Sequence, residues 1–188
     1  MSKENSIEIE LKFPLLNKET VIEKLNSLGV MEKQESQKDT YYLPPNKNFL
    51  DANPISEWLR LRESSSKFTI TYKKWHNTQG KNAVSCDEFE TKIDDLSALK
   101  NILANLDFKA IIVVDKLRRS WQHNQTEISI DEVKDLGDFI ELEAKGDFSS
   151  VTEAERHMKN ILKQLGAEIQ EQDYEGYPYR LLKKKGLV

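Results

Sequence analysis

The chain has one cysteine, Cys86, so no internal disulfide can form and a reducing, intracellular setting is favoured. It has no apolar run near the roughly 18–20 residues that a membrane helix needs, so no membrane span is expected. The opening stretch, Met1 to Ser6, is polar and lacks the apolar segment of a secretory signal. A cytoplasmic protein is the resulting expectation. Charge of one sign is lacking too: 28 basic residues stand against 32 acidic ones, for a net charge of -4. A uniform basic field for nucleic acid is therefore not indicated, and nucleic acid is not expected as a partner, although local basic patches are compatible with these totals. With seven glycines and no Gly-rich phosphate loop, P-loop and Rossmann readings have no foothold. The three histidines, His76, His123 and His157, show no zinc-ligand spacing.

What the chain does have is charge arranged with a period of two. Ile7, Ile9, Leu11 and Phe13 alternate with Glu8, Glu10 and Lys12, which predicts a strand ended by Pro14. Lys18 to Leu28 carries a helical stripe (Val21, Ile22, Leu25, Leu28) with Gly29 at its stop. Further strands are expected over Glu32 to Leu43, Trp58 to Arg62, Lys67 to Lys74 and Ala83 to Lys92. The middle two form a hairpin through Ser64-Ser-Ser66. A helix over Leu96 to Leu106, capped by Asp94 or Asp95, precedes strands at Phe108 to Trp121, Thr126 to Asp131 and Phe139 to Ala144. Thr152-x-x-Glu155 reads as a capping box for a last helix closed by Gly166. The tail beyond Asp173 ends basic, at Lys183 to Lys185. No linker is evident, and residues 1–188 are expected to form one domain.

Side chains two apart on a strand share a face. Glu8/Glu10/Lys12, Arg60/Arg62, Glu88/Glu90, Lys116/Arg118 and Glu141/Glu143 are such sets, with Lys73 and Asp131 adding one charge of each sign. For one such pair, a wet sheet face is explanation enough, and each cross-strand ion pair contributes a few tenths to about 1 kcal/mol. The whole set asks for more. If the strands close into a barrel and these groups face inward, each must be satisfied by another, by water, or by a highly charged ligand, because an unpaired buried ion costs several kcal/mol. A polyanion with divalent metal ions answers both signs. Lys and Arg bind phosphate oxygens, and carboxylates hold Mg2+ or Mn2+.

The ordered series resembles the CYTH superfamily, the triphosphate tunnel enzymes that include class IV adenylyl cyclases and thiamine triphosphatases. Its opening E-x-E-x-K signature stands as Glu8-Ile-Glu10-Leu-Lys12. Arg60-Leu-Arg62, Thr71-Tyr-Lys73, Glu88-Phe-Glu90, Lys116-Leu-Arg118, Asp131-Glu-Val133 and Glu141-Leu-Glu143 follow in the family's order. The resemblance implies an α+β fold: a closed antiparallel tunnel of about eight strands with helices packed outside. It implies Glu8, Glu10, Asp131, Glu141 and Glu143 as ligands for Mg2+ or Mn2+. Lys12, Arg60, Arg62, Lys73, Lys116 and Arg118 become the substrate-binding residues, with Lys12 and Lys73 also in catalytic roles. Glu88 and Glu90 can either hold metal or orient a basic neighbour. Tyr177-Pro-Tyr179-Arg-Leu-Leu182 is similar to the family's ending but out of register.

The expected partner is a small triphosphate: ATP, tripolyphosphate or thiamine triphosphate. The protein is expected as a monomer or homodimer. Asp39-Thr-Tyr-Tyr42 and the stretch from Ile130 to Glu143 look more like the cyclase branch, in which the ribose 3′-hydroxyl of ATP displaces pyrophosphate. Trp58-Leu-Arg-Leu-Arg62 looks like thiamine triphosphatase, where water attacks the terminal phosphorus. Trp58 shares parity with Arg60 and Arg62, so it can stack on an aromatic substrate or simply plug the sheet. The cyclase-like reading is placed first and the triphosphatase second. A non-catalytic polyphosphate or RNA sensor comes third, because carboxylate ligands would be superfluous in a pure anion binder.

Overall fold

A computed structural model of the chain describes residues 9–28, 30–76 and 85–188. The elements run β1 (Glu10–Pro14), α1 (Lys18–Leu28), β2 (Val30–Leu43), β3 (Glu57–Ser64), β4 (Phe68–His76), β5 (Ser85–Ile93), α2 (Leu96–Asn105), β6 (Lys109–His123), β7 (Thr126–Val133), β8 (Gly137–Ala144), α3 (Val151–Leu165) and α4 (Gly176–Lys184). The strands make one eight-stranded sheet in the order β1-β8-β7-β6-β2-β3-β4-β5. The expected α+β architecture of antiparallel strands with helices packed on them is thus borne out. Its ladder ends at β1 and β5, and among the described residues no backbone pairing joins those two strands. Glu8, Gly29 and most of the loop expected over His76 to Asn82 lie outside the described residues.

The described chain falls into two compact units, each built from separate stretches of sequence. One comprises residues 9–36 and 116–176. Its core is where two periodicities meet. Leu11 and Phe13 of β1, Ile128 and Ile130 of β7, and Ile140 and Leu142 of β8 alternate onto one face. That face receives Val21, Ile22 and Leu25 of α1 and Met158, Ile161, Leu162 and Leu165 of α3. Each such burial contributes about 1.5–3 kcal/mol. Polar clasps fix α1 on this face. Lys18 pairs with Glu132 at 3.0 Å and Asp138 at 3.1 Å, Arg119 also pairs with Glu132, and the Trp121 indole donates to Asn26 at 3.0 Å.

The free edge of β1 is covered by residues 168–173. Leu16 N–H donates to Glu168 (2.8 Å), Gln170 N–H to Pro14 (3.1 Å) and Asp173 N–H to Lys12 (2.8 Å). Covering an edge in this way removes a template for unwanted strand pairing. The cap of α3 differs from expectation. Ser150, in extended conformation, accepts from Glu153 N–H at 3.2 Å, and the Glu153 carboxylate reaches back to Ser149 N–H at 2.8 Å. The helix is therefore capped at Ser150, two residues earlier than Thr152, with Glu153 reaching back one residue past the cap, because the chain is still extended at Ser150 and already helical at Thr152. Gly166 closes α3 at φ 63°, the left-handed conformation glycine adopts freely.

The other unit comprises residues 37–115 and 177–188. The expected β3–β4 hairpin is present, with Glu63 opposite Phe68. Leu59, Leu61, Ile70 and Tyr42 pack under Leu96, Leu99 and Leu103 of α2 and Phe108. Asp95, not Asp94, caps α2, accepting from Ala98 N–H at 2.8 Å. Two elements are additional to the sequence reading. A 3-10 turn over Phe49–Asp51, capped by Asn48, interrupts the polar loop after β2. Helix α4 fills the tail and buries Tyr177, Leu181 and Leu182. No helix among the described residues is long and apolar enough to cross a membrane.

Candidate active site

Directly opposed residues on antiparallel strands project from the same face, so the registers give the site row by row. In the unit of residues 9–36 and 116–176, the face turned away from α1 and α3 carries the charges. One row reads Glu10, Glu143, Glu127 and Gln122 across β1, β8, β7 and β6. The next reads Lys12, Glu141, Ser129 and Ser120, and the one after it Pro14, Phe139, Asp131 and Arg118. Lys116 follows two residues before Arg118 on β6. The sequence pattern thus places Glu10, Lys12, Lys116, Arg118, Asp131, Glu141 and Glu143 on one surface of one unit.

Lys12 Nζ lies 3.0 Å from Glu141 and 3.5 Å from Glu10. Burial alone would depress its pKa. The fields of Glu10, Glu141 and Asp173 outweigh that and raise it, so the ammonium is fixed. Asp131 is fully buried. It accepts from Arg118 Nε at 2.7 Å and Nη2 at 2.6 Å, and from Lys116 Nζ at 2.9 Å. Its pKa is pushed down against the desolvation that would raise it, chiefly by Lys116 and Arg118. Glu141 is lowered in the same way, by Arg118 and Lys12, with Arg118 Nη2 3.1 Å away. Glu143 goes the other way. Burial raises its pKa, Glu127 and Glu141 add to the rise, and Lys145 at 2.5 Å only partly offsets it.

The donor set bears on a divalent cation. Glu10, Glu143 and Glu127 are side by side on three adjacent strands and offer only hard oxygen atoms, the chemistry Mg2+ and Mn2+ require. Burial raises the pKa of Glu143 first and the fields of Glu127 and Glu141 add to it, and a cation beside the carboxylate would offset both. Among the described residues no three His, Cys, Asp or Glu side chains converge on a common point. The row fits the metal in ligand type, and its side chains would have to turn inward to hold one. Asp131 sits apart from this row, within its basic partners.

In the unit of residues 37–115 and 177–188, the face opposite α2 is again the charged one. Its rows read Asp39, Arg62, Thr69 and Lys92; then Tyr41, Arg60, Thr71 and Glu90; then Trp58, Lys73 and Glu88. Arg62 donates Nε and Nη2 to Asp39 at 2.7 and 2.6 Å. Arg60 donates to Thr71 Oγ1 at 3.1 Å and lies 3.6 Å from Glu90. Lys73 is 2.9 Å from Glu88. Glu88 and Glu90 therefore contact basic neighbours, one of the two roles open to them in the sequence. Trp58 packs edge-on against Tyr41, ring centroids 5.4 Å apart.

Three residues of these surfaces were not among the site residues expected from the sequence, although Asp39 opens the Asp39-Thr-Tyr-Tyr42 segment. Glu127 shares parity with Ser129 and Asp131 on β7, so alternation alone could have found it. Asp39 lies in a Glu35-x-Gln37-x-Asp39 polar alternation on β2 that has no matching apolar alternation to flag it. Asp173, whose field reaches Lys12 from far along the chain, left no local signal.

The family model described as CYTH domain matches residues 6–177. A Methanocaldococcus jannaschii protein named "Putative adenylate cyclase MJ0240" is 32% identical over 162 residues, covering 86% of this chain and 89% of that one. Among solved structures, PH1819 from Pyrococcus horikoshii OT3 superposes with a TM-score of 0.77 at 28% identity, covering 94% of this chain and 99% of that one. "Putative adenylyl cyclase HpAC1" from Hippeastrum, described as revealing a dominant triphosphatase activity, shares the fold at 14% identity, with a TM-score of 0.65 over 97% of this chain and 96% of that one. The signature series, the eight-stranded sheet and a match over nearly the whole length agree: this chain belongs to the CYTH domain family.

Proposed function

We propose that this protein is a cytoplasmic, divalent-metal-dependent enzyme acting on small triphosphates, and that its first activity is conversion of ATP to cyclic AMP and pyrophosphate. The observation that carries the triphosphate reading is the segregation of charge. In each unit most apolar residues of the sheet face a helix, while the other face, which also carries Phe139, Tyr41 and Trp58, bears Arg, Lys, Asp and Glu in adjoining rows. Such a surface suits a polyanion that arrives with cations. The name of the Methanocaldococcus relative favours the cyclase.

Each set of residues has its own task in this reading. Arg60, Arg62, Lys73, Lys116 and Arg118 bind phosphate oxygens, and guanidinium forks hold them in fixed orientation. Lys12, whose proton is locked on by Glu10 and Glu141, serves as a permanent positive charge at a phosphoryl oxygen rather than as a base. Glu10, Glu141 and Glu143, with Glu127, would hold Mg2+ or Mn2+; Glu8 joins them in the sequence signature. The metal, when bound, supplies charge neutralisation and Lewis acidity toward phosphate and nucleophile. Positioning and electrostatics then account for most of the catalysis, as is general for phosphoryl transfer.

A second reading keeps the same residues and makes water the nucleophile, giving a triphosphatase. It is favoured by Trp58 beside Arg60 and by the triphosphatase activity described for the Hippeastrum fold relative. One assay panel separates the two. ATP, tripolyphosphate and thiamine triphosphate are each offered with Mg2+ or Mn2+, and cyclic AMP, pyrophosphate and orthophosphate are scored separately. Cyclic AMP with pyrophosphate selects the cyclase, and orthophosphate alone the hydrolase. Tight tripolyphosphate binding that survives EDTA, without turnover, would overturn both in favour of a binding module.

A further inference from the structure

The basic pairs of the two units are held in the same way. In one unit Asp131 stands directly opposite Arg118 and receives it side-on, Nε at 2.7 Å and Nη2 at 2.6 Å, with Lys116 two residues before that arginine. In the other, Asp39 stands directly opposite Arg62 and receives it through the same two nitrogens at 2.7 and 2.6 Å, with Arg60 two residues before that arginine. The second basic residue also approaches the shared aspartate, Lys116 at 2.9 Å from Asp131 and Arg60 at 3.9 Å from Asp39. Each unit therefore sets a basic-x-Arg pair on a buried aspartate of the neighbouring strand.

From this geometry we infer that Asp39 is a positioning residue for substrate: it fixes the orientation in which Arg62 and Arg60 meet a triphosphate. Asp39 is 2% exposed and projects from the same face as both arginines. Its two oxygens take the Nε–Nη2 edge of Arg62, which stops the guanidinium from rotating. Arg60 is held from its other side, by Thr71 Oγ1 at 3.1 Å, and Thr71 in turn donates to Glu90 at 2.9 Å. Arg60 Nε is buried and has no partner among the described residues. Two half-buried guanidinium groups two residues apart repel each other, and the aspartate between them offsets that repulsion. A triphosphate then meets forks already oriented, without ordering two long flexible side chains at the moment of binding.

This inference rests on the triphosphate reading of the site, and the test separates the two. Tripolyphosphate binding is measured by calorimetry and turnover by steady-state kinetics, for the wild-type chain, Asp39→Asn, Arg62→Gln and the double variant, with folding checked by circular dichroism. Asp39→Asn is expected to weaken tripolyphosphate binding and raise KM at least tenfold while kcat changes less than about threefold. In the Arg62→Gln background the same Asp39 change is expected to cost less than about threefold, because its effect runs through the arginine. If Asp39→Asn does not fold, Asp39→Glu, which keeps the charge on a longer arm, is read in its place. Unchanged binding and KM in the folded variant, or full additivity with Arg62→Gln, overturns the inference while leaving the triphosphate reading standing. Absence of both tripolyphosphate and ATP binding by the wild-type chain overturns the reading itself.

Discussion

Lys116 and Asp131 form an ion pair at 2.9 Å in which both side chains are almost wholly shielded from water. Arg118 shares the same carboxylate. Two cations thus share this anion inside the sheet, with Glu141 as a second partner for Arg118 at 3.1 Å. Removing Asp131 takes from both their shortest ion pair, and loss of one partner from a buried pair costs about 3–5 kcal/mol. Asp131→Asn is therefore expected to lower unfolding stability by that amount in urea titrations near neutral pH. The sign with pH follows from the depressed pKa. Its contribution is complete above the ordinary carboxylate value of about 3.9 and is lost only as pH falls through the lower folded value. The gap between wild type and variant should stay constant from about pH 8 to about pH 5 and close only in stronger acid. A gap that already shrinks between pH 7 and 5 would contradict this account.

The start of α3 gives a sharper discrimination. Ser150 makes the cap bond to Glu153 N–H, whereas Thr152 lies inside the helix and is exposed. Ser150→Ala is expected to cost about 1 kcal/mol, the usual loss for an N-cap hydroxyl. Thr152→Ala should stay within about 0.5 kcal/mol, as substitutions at surface positions generally do. The reverse ranking in denaturant melts would restore the sequence-based register.

That two-residue slip shows what local pattern does and does not carry. Strands came through well wherever one face was apolar and the other charged, as in β1, β4 and β7, because such alternation is written in consecutive residues. The helical stripes of α1, α2 and α3 were legible for the same reason, although Leu28, expected on the α1 stripe, and Ile102 of α2 are exposed. Helix α4 was not. It is nine residues long, contains Pro178, and owes its place to the burial of Tyr177, Leu181 and Leu182, a tertiary effect with little local signature. The Ser150 cap was ambiguous because Ser149, Ser150 and Thr152 are all competent caps. Only the backbone angle at Ser150 decides among them. At the candidate site, strand parity put Lys12 and Glu141 on one face, and the registers then placed them directly opposite each other. Parity cannot say which strands are neighbours. The pairing of Arg62 with Asp39 instead of a residue closer in sequence was therefore out of reach.

Lys12 carries the next prediction. Its pKa is raised by Glu10, Glu141 and Asp173. A raised folded value means that the stabilisation is complete below the unfolded lysine value of about 10.4 and is lost only at higher pH. The lysine then keeps its charge throughout the range accessible to assay. Turnover of the preferred triphosphate should show no alkaline limb from this residue up to about pH 10. Lys12→Ala, correctly folded, should cost at least about tenfold in kcat/KM, or about 1.4 kcal/mol of barrier. A rate that falls with an apparent pKa near 8 and loses that limb in Lys12→Ala would recast the residue as a base.

Glu143 is where metal and protein stability meet. Its pKa is raised by burial and by its carboxylate neighbours Glu127 and Glu141, and Glu10 stands directly opposite. An acid whose folded pKa lies above its unfolded value stabilises the fold when protonated and opposes it when ionised. At neutral pH, without a divalent cation, the ionised carboxylate is therefore a burden. Glu143→Gln removes that burden, so in EDTA the variant should melt at or above the wild-type temperature. Adding Mg2+ or Mn2+ should reverse the order. The wild type gains stability in proportion to the logarithm of metal concentration once the site saturates, whereas the variant gains less and loses at least about tenfold in turnover. The metal-induced shift should also fade as pH drops through the raised Glu143 value, since proton and cation compete for one oxygen pair. Equal metal-induced shifts in the two proteins would mean that the Glu10–Glu143–Glu127 row does not hold the cation.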